Sequence, residues 1–112
     1  MSFMNWVKSC LSHRGKALSL YRSGMAKANE RDYDGAIADY SAAIDMPKVP
    51  ADVRAMMIYN RALAYSAIHE DAKAAEDLAA VLEVAGVPEN IKTAAYQRRE
   101  RMRRRSEKTE GS

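Results

Sequence analysis

The chain has 112 residues, is 47% hydrophobic and 29% charged, and carries a net charge of +3. This is one small domain with enough apolar content to fold, so neither a disordered chain nor a large enzyme is expected. A single cysteine (Cys10) excludes an intramolecular disulfide framework, no apolar run of about 18 residues is present to span a membrane, and Met1 to Gly15 lacks the apolar core of a signal peptide.

The expected compartment is therefore the cytoplasm. Few Gly and Pro, and many Ala and other good helix formers, predict an all-α protein. From the N-terminus, Phe3, Trp6, Val7, Cys10 and Leu11 recur at i, i+3, i+4, i+7 and i+8. Ser2 to about His13 is thus expected to be a helix packed on the next two helices of the chain. A membrane surface or a second copy of the chain are the other two fates of that stripe. The next helix is expected from about Gly15 to Asn29, with Leu20, Gly24 and Ala28 on one side and Tyr21 and Met25 on the neighbouring stripe.

Asp32 has the carboxylate of a good N-cap. It predicts a further helix from Tyr33 to Met46, with Ala36, Ile37, Tyr40, Ala43 and Ile44 on the apolar face and Pro47 as its stop. Pro50 suits a first helical turn, and that helix is expected to reach about Ile68. Another runs from Asp71 to about Ala85 with Ala74, Leu78, Val81 and Leu82 inward, and Gly86 as its C-cap. Pro88 opens a fifth, with Ile91, Ala94, Ala95 and Tyr96 offered to the core before it enters the arginines.

A shift of 38 residues lays the chain on itself: Val49-Pro50 falls on Val87-Pro88, Gly24-Met25-Ala26 on Ala62-Leu63-Ala64, Ala36 on Ala74, and Asp39-Tyr40 on Asp77-Leu78. Small residues meet small ones and large apolar residues meet large apolar ones. A packing contact made twice leaves that mark. Charge is less evenly repeated: residues 89–112 hold eight Lys and Arg against four Glu, while residues 1–88 hold ten against eleven acids.

This series resembles the tetratricopeptide repeat, a helix–turn–helix unit with a loose W-L-G-Y-A-F-A-P signature. Leu20 stands at the Trp position, Gly24 at the Gly, Ala36 and Ala43 at the Ala positions and Tyr40 at the Phe, while Arg31 to Ile37 resembles the turn G-D-Y-x-x-A-I. Tyr59-Asn60, Ala62, Tyr65, Ala74, Leu78 and Val81 match in the second unit; the terminal Pro comes one place early, at Pro47, and Ala85-Gly86 replaces it in the second. The resemblance implies a right-handed stack of antiparallel helical hairpins, with an extra helix at each end. In those terms 1–13 is an N-terminal packing helix, 14–49 and 50–87 are two repeats, 88–106 is a basic capping helix and 107–112 a flexible tail.

The family lines a concave face with the first helices of successive units and receives a peptide or helix there. By register, that face here holds Leu18, Tyr21, Arg22, Met25, Asn29, Met56, Tyr59, Asn60, Leu63, Ser66 and Arg98, with Gln97 and Arg101 beyond. Some members grip a C-terminal carboxylate with Lys, Asn, Asn, Lys and Arg. Asn60 and Arg98 match two of the five, and Tyr21, Met25 and Ala94 replace the others, so a more apolar helix or internal segment is the expected ligand.

The expected function is a non-catalytic protein-binding adaptor, without cofactor or metal, acting as a monomer or weak homodimer. His13 near Cys10 has neither an orienting carboxylate nor an oxyanion hole in view, and His69 falls in a turn. Self-association is one alternative. Another is nucleic-acid or ribosome binding through Arg99, Arg101, Arg103, Arg104 and Arg105, although no aromatics interleave for base stacking.

Overall fold

A computed structural model describes residues 2–110, and the side chains of 15–108. Five α-helices carry the chain, with no strand among the described residues: α1 Ser2–Asn29, α2 Tyr33–Ile44, α3 Ala51–Ala67, α4 Asp71–Glu83 and α5 Glu89–Glu110. Each helix packs on its chain neighbours. In addition α3 touches both α1 and α5, so these three share a layer that α2 and α4 back.

The sequence period reappears in the backbone. Arg31 and His69, 38 residues apart, both adopt the left-handed conformation, at φ 66° and 63°. Each closes its helix in the same way: Arg31 N–H donates to Ala28 O at 3.0 Å and Asp32 N–H to Lys27 O at 2.8 Å, as His69 does to Ser66 (3.1 Å) and Glu70 to Tyr65 (2.9 Å). This pairing satisfies carbonyls that the helix end leaves free. Asp32 then turns from stop to start, its carboxylate accepting from Gly35 N–H at 3.0 Å to cap α2. Lys48 (φ 64°) and Gly86 (φ 80°) form a second such pair in the loops before α3 and α5.

In the tight hairpins a small residue faces a large one. An added Cβ on Gly24 would lie 2.6 Å from Cε1 of Tyr40, whose side chain is fully buried. The second unit has Ala62 and Leu78 in those places, both buried. A larger neighbour on one helix is matched by a smaller one on the other. The third place in this series, one period on, is Glu100, half-buried and bonded by Arg103 at 2.9 Å.

Two apolar clusters form the core. Ala17, Tyr21, Ala36, Tyr40, Ala43, Met57 and Ala64 make the first; Ile58, Ala62, Ala74, Leu78, Val81, Ala95 and Met102 make the second. Ile44 packs on both, and α3 supplies residues to both. Each large side chain buried here contributes about 1.5–3 kcal/mol. Polar pairs repeat across the same junctions. Asp39 accepts from Ser23 Oγ (2.6 Å) and Lys27 Nζ (2.9 Å) to join α2 to α1. One period on, Asp77 accepts from Nε and Nη2 of Arg61, both at 2.8 Å, and Arg61 Nη1 donates to Ser41 Oγ at 3.1 Å, tying α4, α3 and α2.

Several expectations are corrected. The helices expected at 2–13 and from 15 are one uninterrupted helix, so no turn folds the first back onto the unit. Gly15 is exposed with nothing within 4 Å of an added Cβ, and one exposed glycine costs a helix only about 1 kcal/mol. The stripe from Phe3 to Leu11, with Cys10 and His13, lies outside the described side chains. Pro50 is the N-cap of α3 rather than its first residue. Gly86 lies two residues beyond the C-cap Val84 of α4. Tyr96 is 53% exposed, and the core takes Met102 instead. The helix expected to end at 106 continues to Glu110, with Arg103 bonded to Glu107 one turn later at 2.6 Å.

Candidate partner-binding groove

Helices α1, α3 and α5 enclose a cavity of about 450 Å³ against α2. From α1 come Met25, Ala28 and Asn29; from α3, Asn60, Leu63, Ala64, Ser66 and Ala67; from α5, Arg98. Tyr33 and Tyr40 form the wall on α2. Six residues expected on this face therefore converge: Met25, Asn29, Asn60, Leu63, Ser66 and Arg98.

Asn60 is held in one orientation. Its Nδ2 donates to Met56 O and to the Tyr21 hydroxyl, both at 2.8 Å. A backbone carbonyl can only accept, so the amide nitrogen faces it and Oδ1 remains the acceptor for anything else. The Tyr21 phenol is pushed above its ordinary range by burial, so it stays neutral at physiological pH. Its ring lies 5.8 Å from that of Tyr40.

The other expected residues have different places. Tyr21 is buried in the first core and reaches the groove only through Asn60. Tyr59 packs against the second core, so replacing it tests the fold more than the groove. Met56 is half-buried and enters through its carbonyl. Arg22 is exposed and outside the cavity lining. Leu18, 42% exposed, lines a separate apolar cavity of about 360 Å³ with Gly15, Ala17, Val49, Pro50, Val53 and Met57.

The contribution of α2 to the groove was missed. The tight turn at Arg31 lays Tyr33 back beside the end of α1, and the missing side chain at Gly24 leaves room for Tyr40. Turn and glycine were both visible in the sequence, but the amphipathic period of α2 gave no sign that its tyrosines form a wall.

The arginines of α5 divide between faces. Arg103 bonds Glu100 and Glu107, and Arg99 lies over the Tyr96 ring at 5.7 Å. Arg104 is exposed beside Tyr96, Gln97 and Glu100. Arg98, Arg101 and Arg105 line a furrow of about 340 Å³ with Met102. His69 is exposed in its turn. Among the described residues no three His, Cys, Asp or Glu are grouped to hold a metal, and no helix is long and apolar enough to cross a membrane. No family model, curated protein or solved structure matches the chain.

Proposed function

We propose that the chain is a non-catalytic interaction module of the tetratricopeptide type, a right-handed stack of hairpins that binds a peptide or helix of a protein partner in the α1/α3/α5 cavity. The carrying observation is the mixed lining of that cavity. Met25 and Leu63 offer apolar contact beside Asn29, Asn60, Ser66 and Arg98. Apolar surface supplies affinity, and a few fixed polar groups orient what binds. Asn60, held by Tyr21 and Met56, is such a fixed group. The recurrence of turns and junctions at one period supports the repeat reading independently of the family signature.

The test is retention of host proteins on the immobilised chain, compared with Leu63→Ser/Arg98→Gln. Both residues are only partly buried, and circular dichroism checks that the variant keeps its helices. A protein held by the intact chain and lost from the variant is the expected result. Equal retention by both places binding elsewhere.

A further inference from the structure

The furrow on α5 adjoins the cavity, because Arg98 lines both. A spacing of three puts Arg98 and Arg101 on one face of the helix, while Glu100, Arg103 and Glu107 share another at spacings of three and four, and Arg105 borders both. The Glu100 and Glu107 carboxylates both bond Arg103. No acidic residue lines either the cavity or the furrow. Neither Arg98 nor Arg101 has an ion-pair partner among the described residues. The Nε of Arg98 is buried with no hydrogen-bond partner. Buried donors in folded proteins are nearly always paired, so this one calls for a partner.

We propose that Arg98 and Arg101 recognise acidic side chains of the bound segment, whose apolar side chains enter the cavity at Met25 and Leu63. This rests on the groove reading above and names the chemistry of its ligand: an amphipathic peptide segment with an apolar portion followed by carboxylates, laid from the cavity along α5. Guanidinium groups suit carboxylates because both are planar and can pair through two hydrogen bonds. Charge complementarity selects the ligand. An apolar segment without acids leaves the arginines unpaired, and a purely anionic strand leaves Met25 and Leu63 uncovered. Backbone carbonyls alone satisfy neither arginine's charge. The recognised groups are side-chain carboxylates, so a blocked C-terminus makes no difference.

The experiment is fluorescence anisotropy at physiological salt with three labelled probes. The first is a short peptide, two leucines followed by a run of glutamates, amidated at its C-terminus. The second carries Gln for every Glu, and the third is single-stranded polyuridine RNA. The amidated acidic peptide is expected to bind saturably, more tightly than the Gln peptide and the RNA. Arg98→Gln/Arg101→Gln is expected to weaken it by roughly tenfold while leaving the Gln peptide unchanged. Arg101→Gln alone, at an exposed position, is expected to show part of that loss in a chain whose core is untouched. Unchanged affinity in both variants overturns the proposal, as does failure of the acidic peptide to bind or tighter binding of the RNA. If both peptides bind equally and both are lost in Leu63→Ser, the groove stands and the arginine recognition falls.

Discussion

Gly24 and Ala62 occupy the same place in successive units, and what differs is the side chain opposite. Tyr40, 2% exposed, reaches within 2.6 Å of where a Gly24 Cβ would be. Gly24→Ala gains about 1 kcal/mol of helix propensity but overpacks the junction, which typically costs about 1–3 kcal/mol. A net loss of stability is expected in a urea titration. Gly24→Ala/Tyr40→Leu copies the second unit, so the two changes together should cost less than their sum. Additive losses would refute a shared contact. Asp39 makes the other prediction at this scale. Hydrogen bonds from Ser23 and then Lys27 hold its carboxyl below the usual aspartate value. A depressed native pKa gives stability that is complete above the unfolded value, about pH 4, and fades as pH falls through the native one. Asp39→Asn should therefore destabilise the chain at neutral pH and flatten its acid unfolding below about pH 4. An unaltered acid limb would mean the carboxylate is no better held in the native state than in the unfolded one.

At the scale of elements, stops were easier to read than continuity. Asp32 was legible as a cap because a carboxylate at a helix start has one obvious use, and Tyr33 did begin α2. Arg54 was not legible. It donates to Ile44 O and Met46 O at 3.1 Å and so closes the end of α2 from the first turn of α3, a contact that no local pattern announces. Gly15 misled in the opposite direction. Beside His13 and Arg14 it looked like a break, yet good helix formers on the C-terminal side carry α1 through it. Since nothing lies within 4 Å of its missing Cβ, Gly15→Ala should stabilise by about 1 kcal/mol, read as a higher melting temperature. A lower one would show that the helix needs a glycine there.

Across the whole molecule, composition predicted the all-α architecture, and chain-neighbouring helices pack together from α1 to α5. The candidate groove was legible in part. Met25, Asn29, Asn60, Leu63, Ser66 and Arg98 converge because α1, α3 and α5 share a layer, which the family resemblance, carried over by register, implies. Tyr59 and Leu18 do not, since register assigns a face without saying where that face dips or which side chain a neighbour covers. The run of basic residues was visible as composition but not as two surfaces. Only the positions of Glu100 and Glu107 on the helix separate Arg103, whose charge they answer, from Arg98 and Arg101 on the furrow.

The series Gly24, Ala62, Glu100 also bears on how the molecule behaves among its own copies. A stack of like units presents at its end the surface that another unit would cover. Such a surface, repeated head to tail, is how open-ended fibres grow. Small residues at the first two places let helices close on one another. A carboxylate at the third, held by Arg103, turns that approach into a site water would have to leave without compensation. The same helix thus sets a carboxylate, where its predecessors in the series have small residues, against close approach of a further copy.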